Sequence, residues 1–128
     1  MADPLLDLAR AAQVNAYAPY SKYRVGAAIE AEDGREFAGA NIENASYGLT
    51  ICAERTAMAQ AASQGVRRVR RIVVVTDSEP PAPPCGACRQ VLWEFGPDAI
   101  VESVGPQSRK SWRMRDLIPD AFGGELLK

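Results

Sequence analysis

The sequence contains no histidine. Any metal centre in it is therefore built without imidazole, from sulfur, carboxylate, solvent or another chain. Cysteine is scarce as well: three residues, an odd number that cannot close into a disulfide set within one chain. No apolar run approaches the ~20 residues a membrane helix needs. The start, "MADPLLDLARAAQ", lacks the basic head and apolar stretch of a secretion signal. The expectation is a cytoplasmic chain, without a membrane partner, whose thiols stay reduced. An excess of one charge is also missing. The net charge of −1 argues against a protein whose affinity comes from neutralising phosphates, so no nucleic-acid partner is expected.

What is present is ordinary for a globular chain: 47% apolar and 24% charged residues over 128 positions. That length suits one domain, residues 1–128, with a core that needs no covalent staples. Asp3 and Pro4 read as the cap and first position of a helix to Ala16, with Leu5, Leu8, Ala9 and Ala12 on one face. A hairpin follows, Val25 to Ala31 and Glu36 to Ile42, around Asp33-Gly34. Ile51 to Ser63 is Ala-rich and helical, with Thr50 as a possible N-cap. A β-branched run, Ile72 to Thr76, reads as a buried strand. "SEPPAPP" has four prolines in seven residues and excludes helix or central strand. Helix resumes after Cys85 to about Phe95, "AIVESVG" is a fourth strand, and "MRDLIPDAFGG" is a short helical turn or loop. The strand–helix–strand run favours parallel neighbours, whereas the hairpin is antiparallel. The order predicts a three-layer α/β architecture, a mixed sheet with helices covering it.

The chemistry-bearing residues fall at two helix starts. Cys85 and Cys88 stand at i and i+3, on one face of a first turn where the dipole favours thiolate. Cys52 and Glu54 are two apart and would diverge by roughly 200° inside a helix, so they share a site only if Cys52 lies at the cap or first turn. A closed structural zinc site needs four Cys or His ligands. If one zinc takes all three cysteines, the fourth place goes to a carboxylate, another chain or solvent. An open place marks catalytic zinc, and a neighbouring glutamate is then a general base for water. The same residues also fit a redox pair or cysteines buried as small hydrophobes. The redox alternative leaves Cys52 and Glu54 without a part.

"CAE" followed by "PCGAC" resembles the signature of the zinc nucleoside deaminases, in the form where cysteine replaces the first histidine. "AYAPYSKYRVGAAI", "NIENASYGLTICAERTA", "PCGACRQVLWEF" and "LIPDAFG" extend the resemblance to the small homotetrameric cytidine deaminases, from Ala16 to Gly123. The resemblance implies the cytidine deaminase-like fold, with helices on both faces of the sheet. It implies one zinc per chain, held by Cys52, Cys85 and Cys88. Glu54 is then the catalytic proton carrier: activated water attacks C4 of the base, and the protons reach N3 and the departing ammonia. Cytidine and deoxycytidine become uridine and deoxyuridine, as in pyrimidine salvage. Arg55 is implied to hydrogen-bond the thiolates. That would offset the −1 charge of Zn²⁺ with three thiolates, together with two helix N-termini of ~+0.5 charge each.

On the substrate side, strand alternation puts Asn41 and Glu43 on one face. The resemblance gives both to the ribose 3′-hydroxyl and gives Tyr23 to stacking on the pyrimidine. Asn44 and Ser46 read as turn residues. The backbone N–H groups of Ala53 and Cys85 are candidates to hold the base or the attacking oxygen. Phe122 resembles an aromatic that reaches a neighbouring subunit's site, and Ala45 and Tyr47 are implied to cross subunits too. "RRVRR", Arg67 to Arg71, reads as a connector or subunit contact rather than a phosphate site, since no aromatics interleave to stack bases. Arg24 has no reading. Two other readings remain: a deaminase of a modified cytosine nucleoside such as blasticidin S, and a non-enzymatic zinc or redox module.

Overall fold

The computed structural model describes residues 2–127. Helix α1 spans Pro4–Val14, strands β1 and β2 span Gly26–Ala31 and Glu36–Ala40, helix α2 spans Ala53–Ser63, and strand β3 spans Val69–Val75. Helix α3 (Gly86–Phe95), strands β4 (Ile100–Val104) and β5 (Arg109–Arg113) and the short helix α4 (Met114–Leu117) complete the main elements. A 3₁₀ turn over Tyr47–Leu49 precedes α2, and another covers Gly124–Leu127.

The sheet order is β2-β1-β3-β4-β5. β3 and β4 run parallel, and the other neighbours are antiparallel. The mixed sheet is therefore as expected, with one strand more. β5 reads "RKSWR", an exposed edge strand with no apolar alternation, so no period-2 pattern marks it.

Alternation along β1 and β3 shows why both faces are covered. Ala28, Val73 and Val75 pack with Leu5, Leu6 and Ala9 of α1. Ala27, Ile29, Ile72 and Val74 pack on the opposite side with Ala57 and Met58 of α2 and Leu92 of α3. Two glycines allow the close approach of the helices. A Cβ on Gly26 would lie 2.1 Å from the Ala9 carbonyl oxygen, and one on Gly39 would lie 2.5 Å from the Ala57 nitrogen. Through Gly39, β2 seats the N-terminal half of α2.

Several boundaries differ from the sequence expectation, each for a local reason. α1 stops at Val14, not Ala16, because the chain turns to bring Tyr17 beside Ile42; the Tyr17 N–H donates to the Asn41 carbonyl at 2.9 Å. β2 stops at Ala40 for the same reason, and Ile42 bridges Tyr17 and Ile51 instead. β3 begins at Val69 and so takes in Arg70 and Arg71. These arginines are tolerated in a strand because acidic neighbours meet them: Arg70 binds Glu30 at 3.0 Å, and Arg71 binds Glu102 at 2.6 Å and Asp3 at 2.7 Å. The Arg71 hydrogen bonds hold the Asp3 carboxyl below its ordinary range while Asp3 also caps α1 through the Leu6 N–H. Arg67 donates to the carbonyls of Ala62 and Val66, and Arg68 to that of Glu94. All four arginines of the run are thus held by the chain's own acceptors.

Arg24 acquires a structural account. Its guanidinium donates to the carbonyl of Val14, the last residue of α1, where a cation complements the helix dipole. Its backbone is held by Gln13 and Asp77.

Candidate active site

Both predicted helix starts occur, and both are capped by cysteine. Cys52 is the N-cap of α2 and Cys85 the N-cap of α3, each with extended backbone and no side-chain cap hydrogen bond. Thr50 is not the cap; its hydroxyl accepts the Asn44 N–H at 3.2 Å. A cap residue that does not use its side chain for capping leaves its thiol free to turn elsewhere. The Cys52 and Cys85 sulfurs lie 4.0 Å apart, and with Cys88 all three lie within 4.8 Å of one another.

This donor set fits zinc. Zn–S bonds of about 2.3 Å at tetrahedral angles put sulfurs about 3.8 Å apart. The electrostatics point the same way. A hydrogen bond from Cys88 first, then the Arg55 guanidinium, pulls the Cys52 thiol down to about 5 against its burial. The shared proton pushes Cys88 upward, and burial adds to that. Three sulfurs this close ionise together only when a cation compensates them.

Glu54 stands in the first turn of α2, 5% exposed, and burial pushes its carboxyl up to about 7. A pKa near neutrality suits a group that both takes and gives a proton. Cys52 and Glu54 do share a site, because Cys52 is outside the helix proper. Both line a cavity of about 280 Å³ whose wall also includes Ser21, Tyr23, Asn41, Glu43, Ala53 and Cys85.

Arg55 points back across its helix start. Its Nη2 lies 3.6 Å from the Cys52 sulfur and 3.5 Å from the Thr50 carbonyl oxygen, while its buried Nε has no partner among the described residues. The contact with Cys52 raises the Arg55 pKa above its ordinary value. Arg55→Ala is expected to keep the fold and to lower turnover by about 10–100-fold, the usual cost of losing a group that tunes a metal ligand. Kinetics unchanged across pH 6–9 would show that Arg55 tunes nothing.

Asn41 and Glu43 face the cavity together, with Ile42 between them 46% exposed. Asn44 and Ser46 form the expected turn: the Ser46 N–H donates to Asn44 Oδ1 at 2.9 Å. Tyr23 is on the wall, and Ala53 contributes from the first position of α2. Ala45 and Phe122 do not line this cavity. Ala45 is exposed, and Phe122 is 55% exposed with its carbonyl accepting from Gln90 Nε2.

Val25, Thr50, Val74, Thr76, Ala82 and Pro83 complete the wall, and no sequence reading places them or Ser21 in the site. For Ala82 and Pro83 a signal exists. Prolines that forbid regular structure immediately before Cys85 require a loop there. Ser103 on β4, fully buried, fixes that loop by donating to the Ala82 carbonyl at 2.7 Å.

Residues 2–104 match the family model described as the cytidine and deoxycytidylate deaminase zinc-binding region. A cytidine deaminase of Halalkalibacterium halodurans is 49% identical over 116 residues, covering 89% of this chain and 88% of the relative. The crystal structure of cytidine deaminase from Burkholderia pseudomallei superposes with a TM-score of 0.90 at 46% identity, covering 95% of this chain and 100% of that one. That from Mycobacterium tuberculosis gives 0.80 at 40% identity, covering 94% and 95%.

Proposed function

This chain belongs to the cytidine and deoxycytidylate deaminase family, and on that premise we propose that it hydrolyses free cytidine and deoxycytidine to uridine and deoxyuridine, releasing ammonia, in pyrimidine salvage. The observation that carries the reading is the cluster of three sulfurs within 4.8 Å of one another, two of them, on Cys52 and Cys85, lining the same cavity as buried Glu54. Cys52, Cys85 and Cys88 hold one zinc per chain. Bound there, zinc acts as a Lewis acid that makes water more acidic and a better nucleophile at neutral pH.

The rest is the work of the chain's own residues. Glu54 accepts the proton of the water that adds to C4 of the base and delivers it to ring N3. The second proton of that water, carried to the exocyclic nitrogen, lets ammonia depart as the C4–N bond breaks. The carboxyl begins and ends each turnover ionised. The N–H groups of Ala53 and Cys85, at two helix starts, orient the base. Tyr23 stacks on it, and Asn41 and Glu43 take the sugar hydroxyl. Arg55 withdraws charge from the Cys52 sulfur.

We assign the whole chain to one deaminase domain, acting in the cytoplasm as a homotetramer with shared sites. Exposed apolar side chains support the assembly: Tyr47, Leu49, Ile42 and Ile51 beside the cavity segment are 74%, 66%, 46% and 41% exposed, and Phe122 stands out from the other end of the chain. Phe122, Ala45 and Tyr47 would then complete a neighbour's cavity. Among the described residues no helix is long and apolar enough to cross a membrane.

The test is metal analysis of the purified protein with an ultraviolet assay of cytidine, deoxycytidine and blasticidin S, run alongside sedimentation. One zinc per chain, turnover of the plain nucleosides and a tetramer are expected. Zinc without deamination would favour a structural module, and turnover confined to blasticidin S would favour the antibiotic deaminase.

A further inference from the structure

Glu43 and Asn41 are already engaged by their own chain. Glu43 Oε1 accepts the N–H groups of Tyr20 and Ser21 at 3.0 and 3.1 Å, and Oε2 accepts the Ser21 hydroxyl. The Ser21 oxygen in turn accepts the Tyr23 N–H at 3.0 Å. Asn41 holds the other side of Tyr23: its Nδ2 donates to the Tyr23 carbonyl at 2.8 Å and its Oδ1 accepts the Val25 N–H at 2.9 Å. Between these anchors Lys22 adopts φ 64°, a left-handed conformation that a side-chain-bearing residue keeps only where its surroundings hold it. The Ser21 hydroxyl and the two neighbouring N–H groups keep the Glu43 carboxyl below its ordinary range, so it acts purely as an acceptor at neutral pH.

An acceptor count follows. Each carboxylate oxygen offers about two acceptor sites, and a hydroxyl offers one donor and about two acceptor sites. Both sites on Glu43 Oε1 are filled, and one remains on Oε2. The Ser21 donor is spent on Glu43, and one of its acceptor sites is spent on Tyr23. A sugar hydroxyl arriving here must donate, and it meets an oxygen whose direction Ser21 sets.

We propose that Ser21 is a positioning residue. Its hydroxyl aims Glu43 Oε2 at the sugar and, through the Tyr23 N–H, fixes the aromatic wall against the base, so that one side chain couples recognition of the two halves of the nucleoside. This rests on the cytidine reading given above. Because Ser21 acts on binding rather than on the proton transfers of Glu54, its loss appears in KM and not in kcat.

The experiment compares Ser21→Ala and Ser21→Thr, the latter keeping the hydroxyl, alone and in a Glu43→Ala background, using the zinc-loaded enzyme. Ser21→Ala is expected to raise KM for cytidine about tenfold, as for a lost hydrogen bond to a charged group, with kcat within about threefold of wild type. Ser21→Thr should restore wild-type KM. With Glu43 already removed, Ser21→Ala should add only about two- to fourfold, the share that runs through the Tyr23 N–H, the non-additivity of residues acting as one unit. Hydrogen exchange supplies a readout independent of turnover: the Tyr23 amide should exchange at least about tenfold faster in Ser21→Ala. Additive KM effects, a fall in kcat alone, or unchanged exchange would each overturn the proposal. A wild-type enzyme inert toward cytidine removes the functional reading and this proposal together. An active wild type that Ser21→Ala leaves unaltered removes the positioning role of Ser21 alone.

Discussion

Glu54→Gln is expected to retain its zinc and its fold while turnover of cytidine falls by at least ~10²-fold, the ordinary contribution of a positioned acid–base group. Glutamine matches glutamate in shape, so the packing of the first turn of α2 is kept, and the three sulfurs are untouched. What disappears is the capacity to hold a proton between the water and N3. The buried position makes the loss severe, because at 5% exposure bulk water has little access to take over the transfer. The burial that shields Glu54 also raises its pKa to about 7, so the group works where acceptance and release of a proton are balanced. Steady-state kinetics with metal content measured on the same preparation checks the prediction. Retained turnover in a fully zinc-loaded Glu54→Gln enzyme would remove this carboxyl from the mechanism.

The site was legible in the sequence where the chemistry depends on spacing. Two residues between Cys85 and Cys88 set both on one face of a starting helix. The separation of Cys52 and Glu54 forces Cys52 out of its helix, which is where it lies, as the cap of α2. Strand-like alternation placed Asn41 and Glu43 together even though β2 ends at Ala40, because the chain stays extended through the bridges of Ile42. Illegible were the features that depend on contacts remote in sequence. β5 has no apolar period, since pairing with β4 alone makes it a strand. Arg70 and Arg71 look like connector residues until Glu30, Glu102 and Asp3 are brought against them. Ser21 carries no pattern at all; its importance comes from Glu43, 22 positions away.

Cys85→Ala should have the largest effect of all, since it removes the centre itself. Of the three ligands Cys85 is the cleanest to test. Cys88 is fully buried in the packing of α3, so its replacement mixes a cavity with the loss of metal, whereas Cys85 is exposed. With only the Cys52 and Cys88 sulfurs left, the charge and the count of soft donors both fall below what a three-ligand catalytic site requires. Zinc content should drop to a small fraction of one per chain, and turnover should fall below that of Glu54→Gln. Stability should follow. A metal held at about 1,000 times its Kd stabilises the folded state by about 4 kcal/mol, and the variant forgoes that contribution. The wild-type protein should therefore lose melting temperature when treated with a chelator, and Cys85→Ala should start low and not respond. A Cys85→Ala protein that keeps stoichiometric zinc would mean that the metal is held elsewhere, and the convergence of the two helix starts on one ion would be wrong.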